Sequence, residues 1–101
     1  MITDEISYNN LKNNDQLLDF LILSSLSLSY EKKIRNIVNA INRKYKLNLS
    51  AQEKQSISKI IFFRIQIFID QGIVEKNEYG YFLKRYFDVN YIYNSSAITI
   101  K

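Results

Sequence analysis

Apolar positions along the chain fall into three runs of helical period, then two short runs of strand period. In the first, Leu17, Leu18, Phe20 and Leu21 make an apolar face that Ile22, Leu23 and Leu26 extend nearly all round. The pattern predicts a largely buried helix over Asp15–Ser27, with Asp15 as its N-cap. In the second, Ile34, Ile37, Val38, Ile41 and Tyr45 form one stripe, with Lys33, Arg35, Asn36, Asn39, Asn42, Arg43 and Lys46 mostly outside it. This predicts an amphipathic helix from about Tyr30 to Tyr45, capped by Ser29. The third opens on Ser50-Ala-Gln-Glu53, a capping-box sequence, and runs through Asp70 to a left-handed stop at Gly72. Only Lys46–Leu49 separates it from the second, a spacing compatible with a helix-turn-helix.

Beyond Gly72 the period changes to two. Ile73–Lys76 reads as a strand, Asn77–Gly80 as a turn and Tyr81–Tyr86 as the returning strand. The expected fold is therefore α+β and mostly helical: three helices followed by a β-hairpin, over residues 15–86. Residues 1–14 form an N-terminal arm. Residues 87–101 form a tail whose weak alternation (Tyr91, Tyr93; Ile98, Ile100) suits a further strand or hairpin.

With 101 residues, 47% hydrophobic and 24% charged, the chain matches one ordinary globular domain. Its apolar stretches are too short for a membrane span, and its acidic, Asn-rich start is unlike a signal peptide. A cytoplasmic protein, nucleoid-associated if it binds DNA, is expected. Cysteine and histidine are absent. That excludes disulfides and thiolate metal sites, and it removes the commonest general base and transition-metal ligand. The acids at Asp4, Glu5, Asp70, Glu75, Glu78 and Asp88 have no partner base, so an enzyme, a metal site and a cofactor are not expected. The Asn48 and Asn94 sequons read as chance in an Asn-rich chain.

The net charge of +4 is unevenly spread. Residues 1–19 carry four acids and one lysine, a net of −3, whereas residues 31–46 carry six basic residues against Glu31, a net of +5. Residues 50–64 add Lys54, Lys59 and Arg64 against Glu53. Positive charge focused on one third of the chain suits an anionic partner, although a solvated basic helix face would look the same.

The order helix, helix, short turn, long helix, Gly, hairpin resembles a winged-helix domain. Ile61, Ile65 and Phe68 at helical spacing, then Asp70-Gln-Gly-Ile-Val-Glu-Lys and Gly80-Tyr-Phe-Leu, carry the resemblance. The chain is similar in this to small archaeal viral or plasmid regulators and to the N-terminal winged helix of Mrr-type restriction enzymes. The resemblance covers about residues 15–86 and encodes a fold rather than a function. It implies that the third helix enters the major groove of double-stranded DNA while the hairpin wing touches the backbone or minor groove.

Opposite the third helix's core side (Ile57, Ile61, Ile65, Phe68), helical geometry gathers Gln52, Gln55, Ser56 and Lys59. These residue types can read base edges, though any exposed helix carries them. Lys32, Lys33, Arg43, Lys44, Lys54 and Arg64 are candidates for backbone phosphate, and they cannot all face one duplex. Lys76, Asn77, Lys84 and Arg85 are wing candidates, weakened by Glu75 and Glu78. The eight tyrosines and six phenylalanines default to core rather than to stacking on single-stranded bases.

Ile60, Phe63 and Ile67 make an apolar stripe on the third helix where a wet face is expected. The first helix, the tail or the arm could cover it, a homodimer could bury it, or Phe63 could contact DNA. Two functions follow. One is a sequence-specific, dimeric DNA-binding regulator of transcription. The other is a protein-interaction module or inhibitor that keeps the fold and docks a partner on the stripe.

Overall fold

A computed structural model describes residues 6–84. The expected tail and Arg85 lie outside the described residues. The element order is α1 (Tyr8–Asn13), α2 (Asp15–Ser25), α3 (Ile34–Tyr45), α4 (Ala51–Asp70), β1 (Val74–Asn77) and β2 (Gly80–Leu83). The class is α+β and mostly helical, but with four helices rather than three among the described residues.

The additional helix, α1, falls inside the expected arm. Ser7 caps it by accepting from the Asn10 amide, and Leu11 is fully buried in the core. A single turn and a half gives too few apolar repeats for a period to show. Helix α2 is capped by Asn14, whose Oδ1 accepts from the Leu17 amide at 3.1 Å, so Asp15 is the first helical residue and not the cap. Leu17, Leu18, Leu21, Ile22 and Leu23 are all buried, as expected of a helix apolar nearly all round. Around it pack α1, α3 and α4.

Helix α3 begins four residues later than expected, at Ile34, with Lys33 as an N-cap that makes no side-chain bond. Ser29 does not cap it; its amide bonds Ser27 Oγ at 3.0 Å. Residues 27–32 run beside the hairpin instead. Lys32 and Tyr81 exchange both backbone hydrogen bonds, at 2.9 and 2.8 Å, and the Leu83 amide donates to Ser27 O at 2.8 Å. The pairing satisfies amides and carbonyls along β2 that would otherwise form an open edge. It outweighs one extra helical turn.

Helix α4 carries both halves of its capping box, Ser50 N–H to Glu53 Oε1 (2.9 Å) and Glu53 N–H to Ser50 Oγ (3.1 Å). At its other end Gly72 takes φ 75°, the Ile73 amide bonds Phe68 O and the Gly72 amide bonds Ile69 O. This is the paired bonding of a Schellman stop. Ile57, Ile61, Ile65 and Phe68 face the core, each burial worth about 2 kcal/mol.

The hairpin leaves the helix at once. Strands β1 and β2 pair antiparallel from Val74 with Leu83 to Asn77 with Gly80, so the turn is Glu78-Tyr79 alone. Asn77 and Gly80 belong to the strands. Val74, Tyr81 and Leu83 join the core. Gly80, at φ 140°, is the point of closest approach: a Cβ there would lie 2.6 Å from Lys32 O. Among the described residues, no helix is long and apolar enough to cross a membrane.

Candidate nucleic-acid interface

The connection between α3 and α4 is built without glycine. Lys46 and Asn48 both take left-handed conformations, with φ 53° and 54°. Asn42 holds the turn from below: its carbonyl accepts from the Leu47 amide and its side chain accepts from the Leu49 amide at 3.0 Å. Leu49 is thereby pulled into a buried position. The turn sets the N-terminal half of α4 beside α3.

Between these two half-helices lies an open groove of about 480 Å³. Arg35, Asn39 and the buried Val38 line it from α3, and Ala51, Lys54, Gln55 and Ser58 from α4. The lining contains two cations and no acid. Glu53, the nearest acid in sequence, is held by the capping box.

Gln52, Gln55 and Lys59 are exposed on the outer side of α4, with Ser56 half-buried beside them. The expected base-reading set is therefore gathered on one flank. Lys33 is exposed at the start of α3, and Arg43 is exposed on its outer face. Lys54 is half-buried in the groove.

Three of the expected backbone cations point elsewhere. Lys32 is not on a helix, and its ammonium donates to Ser25 O at 2.7 Å, neutralising the carbonyl end of α2. Lys44 lies on the far flank of α3, its ammonium 5.6 Å from the Tyr45 ring. There it lines a separate cavity of about 250 Å³ with Lys32, Tyr30 and Tyr45. Arg64 is committed to α2. Its Nε and Nη2 donate to Asp19 Oδ1 and Oδ2, both at 2.8 Å, and its Nη1 lies 3.5 Å from Asp15. Burial raises the Asp19 carboxyl above its ordinary pKa despite the opposing pull of the Arg64 hydrogen bonds and charge, while Asp15 adds to the rise. The Asp19 hydrogen bond raises the Arg64 pKa.

The wing candidates are also engaged within the fold. Asn77 Nδ2 donates to Glu31 at 2.9 Å, Lys76 sits 5.7 Å from the Tyr81 ring centre, and Lys84 lies 3.9 Å from Glu75. The strands are only four residues long, so the wing reaches little beyond the body.

The apolar stripe divides. Ile60 packs against the core and is only partly buried, whereas Phe63 is 71% exposed and Ile67 39%. Phe62, 46% exposed, joins them and was not singled out by spacing, because it borders the polar flank. Arg35 and Asn39 were missed as groove residues. Nothing in the period of α3 says which of its polar flanks α4 will face.

Comparison of the chain with protein-family models, curated proteins and solved structures returned no match.

Proposed function

We infer that this chain is a winged-helix protein that binds double-stranded DNA and acts in regulating transcription. The observation that carries the reading is the α3/α4 groove: cations and amides converge there, acids are missing from the lining, and the rigid turn holds the half-helices together. The order of elements supports the fold. A strand-like residue, Lys32, precedes α3 and pairs with β2 through a single antiparallel bridge beside the two-stranded hairpin.

In this reading Lys33, Arg35, Lys46 and Lys54 neutralise phosphates, which supplies affinity without sequence preference. Gln52 and Gln55, with Ser56, reach base edges from the first turns of α4. The described wing candidates contribute little, since Lys76, Asn77 and Lys84 are already engaged within the fold.

Anisotropy titration of a labelled random-sequence duplex at several salt concentrations tests the reading. Four phosphate cations give a log–log salt slope of about −4. Arg35→Ala lowers that slope by about one, while Gln55→Ala leaves the slope alone and costs about 1–3 kcal/mol at one base position of a selected site. A chain that binds no duplex at low salt is not a DNA-binding protein. That outcome favours the second reading, a protein-interaction module, for which the exposed Phe62, Phe63 and Ile67 are the supporting observation.

A further inference from the structure

The outer side of α4 changes character half-way along. Lys59 and Asp70 are eleven residues apart, close to three helical turns, so they project from the same side within about 20° of each other. Between them stand Phe62, Phe63, Gln66 and Ile67, three of them large, apolar and exposed. Among the described residues, neither Lys59 nor Asp70 has an ion-pair partner. Asp70 also lies in the last turn of α4, which contains no basic residue and whose free carbonyls already carry partial negative charge. The acid is badly placed for its own helix and well placed for a cation brought from outside.

These positions are symmetric about one point. Lys59 with Asp70, Phe62 with Ile67, and Phe63 with Gln66 are each equidistant from the peptide joining Arg64 to Ile65. A two-fold axis level with that point, just outside the exposed face, lays an antiparallel copy of α4 across the first, as an isologous interface requires. Each Lys59 then meets Asp70 of the second copy, so an ion pair closes both ends, while Phe63 lies beside Gln66 of the second copy near the axis, and Phe62 and Ile67, on opposite edges of the face, each meet their own counterparts. A parallel copy would oppose like charges, and a phosphate surface would be repelled by Asp70.

We propose that the chain forms a homodimer through this face, with α4 antiparallel to its copy and Lys59 paired to Asp70 across the seam. The expected stripe is thereby redrawn. Ile60 belongs to the monomer core, Phe62 enters the interface, and Lys59 leaves the base-reading flank. Residues 51–58 extend about 12 Å past Asp70 of the second copy, which keeps Gln52 and Gln55 outside the seam. The dimer does not depend on DNA binding.

Sedimentation equilibrium of the full chain and its charge variants tests the pairing. The wild type is expected to be a dimer. Lys59→Asp and Asp70→Lys each set like charges opposite one another twice, and each is expected to weaken dimerisation by about tenfold or more. The double variant restores it. All are surface changes, and Asp70→Lys suits its helix better than the native acid, so circular dichroism should show them folded. A monomeric wild type overturns the proposal. So does a dimer indifferent to the single changes, or one that the double exchange fails to rescue, because another partner or another register then covers the face.

Discussion

Arg64 on α4 grips Asp19 on α2 through two parallel hydrogen bonds of 2.8 Å, forty-five residues apart in sequence. A residue that composition assigns to an anionic partner is thus spent inside the fold. With both side chains less than a quarter exposed, this is a structural tie between the central helix and the long one. Arg64→Ala should lower unfolding free energy by about 2 kcal/mol, measured by denaturant titration. It should leave the salt slope of DNA binding unchanged, since Arg64 offers phosphate no free donor face. A reduced slope would return Arg64 to the interface.

Acid should not break this tie first. Burial raises the Asp19 carboxyl, so the folded chain holds a proton there more tightly than the unfolded chain does. Stability from this group is therefore present at low pH and lost as pH rises through the folded pKa. The penalty of Asp19→Asn, measured by unfolding at neutral pH and at about pH 4, should be at least as large in acid. A penalty that vanishes in acid would mean that pairing outweighs burial.

Gly80 is required by the neighbouring chain as much as by its own φ of 140°. A Cβ would lie 2.6 Å from Lys32 O and 2.7 Å from Lys32 C, both backbone atoms that cannot swing aside. Gly80→Ala should cost about 2–3 kcal/mol in thermal or chemical unfolding. It should also speed hydrogen exchange at the Lys32 and Tyr81 amides. Normal exchange there would show that the Lys32–Tyr81 pairing does not depend on this contact.

Lys46 sits where a helix stop favours glycine, at φ 53°. Lys46→Gly relieves a left-handed side-chain conflict and should stabilise the fold by about 0.5–1 kcal/mol. The same change removes a proposed phosphate contact, so the salt slope should fall by about one. Stability and binding are predicted to move in opposite directions. A variant that gains stability with an unchanged slope excludes Lys46 from the interface.

The cap at Ser50 offers a cleaner measure of local energetics, because its partners are short-range. Ser50→Ala should cost about 1 kcal/mol by denaturant titration, since the Glu53 amide loses its acceptor. No loss would mean that water caps the exposed helix end equally well.

Much of the framework is legible in the sequence because the interactions that set it are local. Ser50 and Glu53 cap each other across three residues, Gly72 can adopt the left-handed turn beside the helix it ends, and Ile57, Ile61, Ile65 and Phe68 recur at the helical period. Burial of the central α2 follows from its unbroken run of apolar positions. These features need no knowledge of what lies opposite.

What the sequence left open depends on residues distant along the chain. Whether residues 30–33 begin a helix or pair with a strand was decided by Tyr81, whose backbone competes for the same amide and carbonyl of Lys32. Helix α1 exists because a hydrophobic core receives Leu11. Arg64 became an internal tie, and Arg35 a groove residue, only when packing set α2 and α3 beside opposite flanks of α4. A side chain's period places it on a face, but only tertiary packing determines which partner that face meets, and therefore whether its charge is spent within the molecule or offered outside it.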